Sequence, residues 1–381
     1  MKRLIFRQVD WFSIFGFILV FFIVLFMTQE NTSMVSLCIT GTFLYVAMGL
    51  VLKWKSLNKK LLGLAIICSF LSLINVCISS FGDFDYYKKF IMYSVSILWI
   101  VYCGCVTIQK QTLLIINLVN VLIAVIYIYA YRTGFDTFEG EVLLTMGFPN
   151  PNQTGMFLFN TILYITLIII LYDNKVVRFV SLIGLFFLLF LLYLTGCRSA
   201  FGGYVFFILL CLGTKFKLSF FYKKWFYVLW SVAPLVFLLF YMRFSSALDL
   251  DLSFGMESMG KSSSTRLSVW TDALSMLGDN FLLGDYSNVE KIIKYSHAHN
   301  THLEVWISYG FVPLLLFIVI LYKSVWKIRK HITTPFQYYA LFAFLSCFVN
   351  GFFEATLISG SAGLFLLSFG FLLLANQRQL Y

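Results

Sequence analysis

Apolar residues along the chain come in blocks of about 17 to 21, repeated from end to end, and blocks of that length span the hydrocarbon of a bilayer. Twelve such segments are assigned, at 11–27, 34–52, 61–81, 90–108, 112–131, 153–172, 179–195, 200–214, 225–244, 302–322, 336–354 and 358–375. Runs such as LIGLFFLLFLLYL from Leu182 do not alternate apolar with polar residues, as the strands of a membrane β-barrel would. The pattern predicts an all-α polytopic membrane protein with about twelve transmembrane helices. One large, partly helical extracytoplasmic loop separates helices nine and ten. The expected organisation is 1–244 for helices one to nine, 245–301 for the loop, and 302–381 for helices ten to twelve with a cytoplasmic C-terminus. Lys2, Arg3 and Arg7 precede the first apolar run, but no small-x-small cleavage pattern follows it, so it reads as a retained helix and not a signal peptide.

Composition agrees with this class: 60% of residues are hydrophobic, 12% are charged, and the mean hydropathy is +0.88, against about 25% charged in soluble domains. With both termini cytoplasmic, 19 of the 28 basic residues fall in cytoplasmic loops and tails, and of the 17 acidic residues only Asp10 and Asp173 do. This is the positive-inside bias. It accounts for the net charge of +11 without a basic patch for nucleic acid, since the charges are spread over short loops and both tails. The eight cysteines all lie in or beside assigned helices, so no disulfide framework is expected. No CxxC pair, glycine-rich phosphate loop or internal repeat is visible.

The large loop carries a pattern of its own. Ser264 or Thr265 can cap a helix through Leu267, Trp270, Leu274 and Leu277, whose spacing makes one apolar stripe. Gly278-Asp279-Asn280 ends that helix, and a second helical stretch is expected over Val289–Tyr295. Long loops with internal order are usually functional.

Polar residues that topology does not explain gather on the same face. Arg198, in TGCRSA, lies where positive charge is disfavoured, although snorkelling to headgroups is its plain alternative. Arg243 at the end of the ninth segment reads as a snorkelling arginine. Arg266 sits in the first turn of the loop helix, where the dipole favours an acid, and so points to an anionic partner, with an ordinary solvated charge as its plain alternative. Asn152 in Asn150-Pro151-Asn152 reads first as a helix N-cap. Three of the four histidines, His297, His299 and His302, fall within six residues, and His299 and His302 are spaced to share a helix face. A zinc site lacks ligands, because only Glu304 stands nearby. Proton transfer fits better, since an unperturbed imidazole titrates at about pH 6.5. The plain alternative is an interfacial histidine capping the tenth segment. Asp249-Leu250-Asp251 spells DxD, a weak signal in an outer loop.

The run HNTHLEVWISYG, from His299 to Gly310, resembles the signature of the O-antigen ligase and O-antigen polymerase superfamily: His, then Asn, Ser or Gln, then nine residues, then Gly. Arg198 in TGCRSA, Arg266 in STRLSVW and the GFPNPNQTG entry from Gly147 are similar to further family features. Pro313 stands where the family often has a second Gly. The resemblance covers the C-terminal part of the chain by motif and the first third by hydropathy alone. It implies a metal-independent glycosyltransferase without cofactors, working in the bacterial cytoplasmic membrane on an undecaprenyl-diphosphate-linked oligosaccharide donor and acceptor. A chain-length regulator and membrane lipids are further partners, and nucleic acid is not one. Within that reading His299 is the catalytic base, and Arg198, Arg266, Asn300, Glu304 and Asn152 bind substrate or diphosphate. Polymerase and ligase are not separated by the motif. The many Lys and the 44 Phe suggest an AT-rich coding sequence and lean toward a capsule or exopolysaccharide polymerase. A flippase or other transporter is the competing class, although the assigned helices hold few central charges. A non-catalytic assembly scaffold is a third.

Overall fold

The computed structural model describes residues 11–28, 32–79, 84–106, 110–130, 134–138, 141–148, 150–216, 219–248, 262–285, 298–353 and 362–376. In chain order the helices are α1 (Trp11–Thr28), α2 (Thr32–Leu52), α3 (Lys59–Ser79), α4 (Phe84–Cys103), α5 (Lys110–Ala130), α6 (Pro151–Leu171), α7 (Lys175–Leu194), α8 (Arg198–Lys215), α9 (Lys224–Leu248), α10 (Ser262–Asn280), α11 (Thr301–Tyr309), α12 (Phe311–Lys330), α13 (Pro335–Val349) and α14 (Ala362–Ala375). Within the described residues the apolar segments assigned from sequence lie largely on helices, the tenth being divided between two. Six helices, α2, α3, α6, α7, α9 and α12, contain stretches long and apolar enough to cross a membrane. Helices suit that setting because they satisfy their own backbone groups. Hydroxyls inside them are satisfied the same way, as Thr161 donates to Phe157 O (3.0 Å) and Ser346 to Phe342 O (2.7 Å), one turn back.

The protein is a multi-pass bundle. Helix α6 is buried along most of its length, packed against α5, α7, α8, α13 and α14. Helix α7 lies outside, leaning mainly on α6 and exposing Phe179, Val180, Ile183, Phe186 and Phe190. An outward apolar stripe is expected of a helix facing lipid tails. Lys175, Arg178, Lys215, Lys224, Lys327, Arg329 and Lys330 sit at one end of their helices. The opposite end carries the N-termini of α6, α8 and α12. An antiparallel hairpin between α5 and α6, β1 (Phe135–Phe138) with β2 (Glu141–Leu144), pairs Phe135 with Leu144. It was not expected from the apolar pattern. β2 packs on α6 and α7.

Two local expectations are corrected. Asn152 does not cap α6: Asn150 does, its side chain accepting from Asn152 N at 2.8 Å, with Pro151 as the first helical residue. Proline is suited to that position because its missing N–H has no intrahelical partner there. Helix α10 starts at Ser262, ahead of the expected cap at Ser264 or Thr265, and ends at Asn280 as GDN suggests. The stretch Val289–Tyr295 lies outside the described residues. All eight cysteines are free thiols.

The tenth segment is not one helix. It breaks at Gly310 (φ +95) into α11 and α12. The cause lies about twenty-five residues upstream, where the turn Phe281–Asp285 crosses the break. Asp285 N donates to Ile307 O (2.7 Å), Phe311 N to Phe281 O (3.3 Å), and the Trp306 indole N–H to Phe281 O (3.1 Å). A Cβ on Gly310 would stand 2.1 Å from Leu282 O, and one on Gly284 (φ +67) 2.3 Å from Ile307 O. Two backbones therefore touch with no side chain between them. Asn75 of α3 holds the same turn, donating to Gly284 O at 3.2 Å. Gly310→Ala meets both a backbone wall and a left-handed φ. Its thermal midpoint in detergent is expected to fall, with strain alone costing about 1–3 kcal/mol. Gly63→Ala, which meets nothing within 4 Å, should leave the melting curve in place.

Candidate active site

His299 stands immediately before α11 with φ +48, a conformation few side-chain-bearing residues adopt. It does not share a helix face with His302, because Asn300 is the N-cap and His299 lies outside the helix. Its neighbours on both sides are buried, whereas His299 is partly exposed. On one side Ala298 N–H donates to the Glu304 carboxylate, and Ala298 O accepts the Trp270 indole N–H at 2.8 Å. On the other, Asn300 Oδ1 accepts from His302 N and Leu303 N (3.1 Å each), while Nδ2 donates to Pro234 O (3.0 Å) and Phe352 O (3.2 Å). An asparagine side chain has two donor hydrogens and two acceptor lone pairs, and all four are used. Asn300 thus has no capacity left for substrate. Glu304, buried as well, fixes the backbone ahead of His299. Asn300 is thus a positioning residue in place of the substrate contact expected of it, and Glu304 holds the backbone next to His299.

Part of this dock is made by α9. Pro234 lies inside that helix, where it has no N–H to give the preceding turn. Two carbonyls of this stretch face the dock: Pro234 O accepts from Asn300 Nδ2, and Ser231 O accepts from His302 Nε2 at 2.8 Å. That partner requires the Nε2–H tautomer. The His302 ring is wholly buried between Phe317 and Phe348. His302 is a neutral packing residue, which leaves His299 as the accessible imidazole among the described residues of this cluster. His297 lies outside them, as do Asp249 and Asp251.

Arg198 is the first residue of α8, half-buried, after the turn Thr195-Gly196-Cys197. That turn packs directly on the start of α6. A Cβ on Gly155 would come within 2.2 Å of Cys197 Cβ, and Cys197 Sγ donates to Asn152 O at 3.7 Å. The NPN entry and the TGCRS turn are therefore one packed unit that places Asn152 and Arg198 together. A 3₁₀ turn after α13, Asn350–Phe352, touches α8, α9 and α11 and supplies the Phe352 carbonyl to Asn300. It links the Arg198 unit to the histidine unit. Arg266 lies on α10, four residues before Trp270 and so on the same helical face; its side chain lies outside the described part. The stripe of α10 packs through Val269, Trp270, Ala273 and Leu277 against Leu238, Tyr241, Ala298, Leu303 and Ile307. The Trp270–Ala298 hydrogen bond ties the helix bearing Arg266 to the residue next to His299.

Sequence reasoning missed Pro234, Phe352 and the Trp270 indole. A proline in the middle of an apolar span was the one signal available. Among the described residues no group of three or more His, Cys, Asp or Glu is placed to hold a metal ion. The bonding pattern fixes an order of effects. Asn300→Ala removes four hydrogen bonds and leaves two buried carbonyls short of partners, at about 1–3 kcal/mol each. Trp270→Phe keeps one aromatic ring in place and removes one hydrogen bond and part of the indole's buried volume. Thermal unfolding in detergent should show Asn300→Ala as clearly the more destabilised.

Residues 183–318 match the family model described as O-antigen ligase. No curated protein and no solved structure matches the chain. The matched stretch runs from within α7 to within α12, and it contains Arg198, Arg266, His299 and Gly310. Over that stretch the chain is similar to the O-antigen ligase family, and with six helices long and apolar enough to cross a membrane the match supports a relationship to the O-antigen ligase and O-antigen polymerase superfamily of surface-polysaccharide biosynthesis.

Proposed function

We propose that the protein is a glycosyltransferase that polymerises undecaprenyl-diphosphate-linked oligosaccharide repeat units on the outer face of the cytoplasmic membrane. The observation that carries this reading is His299, partly exposed in a left-handed backbone between two clamped and buried neighbours. A pre-positioned imidazole is what a general base needs. A hydroxyl of the acceptor sugar attacks the anomeric carbon of the donor, and its proton passes to the His299 imidazole. The bond from that carbon to the diphosphate oxygen breaks, and the lipid diphosphate leaves with the bonding electrons. Negative charge grows on the leaving group, and Arg198 and Arg266 meet it with bidentate, charge-assisted hydrogen bonds. In this reading the two guanidinium groups carry the charge that a divalent cation carries in other sugar transferases. The growing chain is the donor and a single lipid-linked repeat unit the acceptor, with a chain-length regulator as an outside partner.

The match to a model described as O-antigen ligase favours a second reading, in which the glycan passes to a lipid or protein acceptor. One experiment separates them: a deletion strain complemented with wild type, His299→Ala, Arg198→Ala or Arg266→Ala, with surface polysaccharide run on a gel and membrane levels blotted. Loss of a general base lowers rate by about 10²–10⁴-fold, and loss of an electrostatic donor by about 10²–10³-fold. The ladder is therefore expected to collapse to single repeat units while each variant remains in the membrane. A ligase instead leaves long polymer on its lipid carrier, and full-length polymer with His299 removed ends the catalytic reading. Polymer synthesis in isolated membranes is also expected to withstand EDTA; inhibition reversed by a divalent cation contradicts the role given to the arginines.

A further inference from the structure

The turn that pins the helix break has an outer surface that the pinning leaves bare. Phe281, Leu282 and Leu283 are 44%, 62% and 59% exposed, three consecutive large apolar side chains at the tip of an otherwise held segment. Their backbone is fixed from three sides, by Ile307 O, the Trp306 indole and Asn75 Nδ2. Folding the side chains inward is therefore closed to them. The turn lies between the ends of two helices that can cross a membrane, α3 through Asn75 and α12 through Phe311 N. Those ends also present bare apolar side chains, Ile78 at 70%, Val312 at 42% and Leu315 at 45%. Phe281, Trp306 and Phe311 form a triangle of rings 4.9–5.4 Å apart. Aromatic rings with a polar handle concentrate where hydrocarbon meets headgroups.

We infer that Phe281, Leu282 and Leu283 form a hydrophobic toe that enters the acyl region of the leaflet, beside the first turn of α12. Lipid tails are its occupant. The bare apolar surface is continuous with that of α3 and α12, two helices apolar and long enough to cross a membrane. The toe follows α10 directly, so it anchors the C-terminal end of that helix at the bilayer surface. Helix α10 is then a tethered cap whose depth relative to headgroups is set.

The test is a fluorescence measurement on the full chain in phosphatidylcholine liposomes, which needs no enzymatic activity and so stands or falls apart from the glycosyltransferase reading. An environment-sensitive thiol probe is placed at Leu282→Cys or Leu283→Cys, with the unsubstituted protein as labelling background. Leu315→Cys, on the exposed flank of α12, is the lipid control, and Asp272→Cys, on the exposed face of α10, is the water control. At 282 and 283 we expect strong quenching by nitroxide carried on the lipid chain, as at 315. Quenching by aqueous iodide should be several-fold weaker than at 272. Iodide quenching equal to that at 272 overturns the inference. Shielding from both quenchers also overturns it, because protein, from elsewhere in this chain or a second copy, then covers the toe.

Discussion

A helix that breaks among membrane spans exposes backbone groups that lipid cannot solvate, and each must find a partner inside the protein. The Asn300 side chain meets that constraint here. It accepts the first free N–H groups of α11 and donates to the carbonyls of Pro234 and Phe352. One amide thereby joins three chain segments that are remote in sequence. The partly exposed histidine, the cap helix above it and the turn below it are all held relative to that junction. Helix α9 is the complementary half, since its Pro234 and Ser231 carbonyls accept from Asn300 and His302.

Charge placement follows a second rule. Most helix ends rich in Lys and Arg lie at one end of the bundle, and Arg198 stands apart, at the start of α8. The positive end of the helix dipole makes that an unfavourable place for a cation unless negative charge comes to it. Two glycines, Gly155 and Gly196, let the Cys197 turn sit against α6, so the arginine is carried by packed backbone and not by a long free loop. Rigid support of this kind is what distinguishes a prepared anion site from a snorkelling side chain.

Helix positions were legible because membrane crossing depends on the local length of apolar sequence, a property each segment carries by itself. What depended on meetings between distant residues was not. The break at Gly310 comes from a backbone crossing by Leu282 and Leu283; Gly310 and Pro313 mark a weak point in HLEVWISYGFVP, but nothing there names the turn that crosses it. Asn150 and Asn152 are equally good caps in isolation; Pro151 between them suits the first helical position and makes Asn150 the cap. The motif His299-Asn300 was visible as a pair, yet its division of labour was not: the asparagine is spent on structure and the histidine is left available. Glu304 was expected near the chemistry and instead holds the Ala298 amide. The hairpin at 135–144 escaped because two four-residue strands add little to a hydropathy profile.

The clasp between Gly284 and Gly310 and the anchoring of Ala298 by Glu304 and Trp270 have an evolutionary consequence. Together they bound the stretch from 286 to 297 with two fixed posts. Changing the length of a segment whose ends are already held costs only the slow logarithmic growth of loop entropy. Relatives can therefore lengthen, shorten or rewrite that stretch without moving the histidine that follows it. The place of His299 is thus uncoupled from the sequence of the stretch that precedes it.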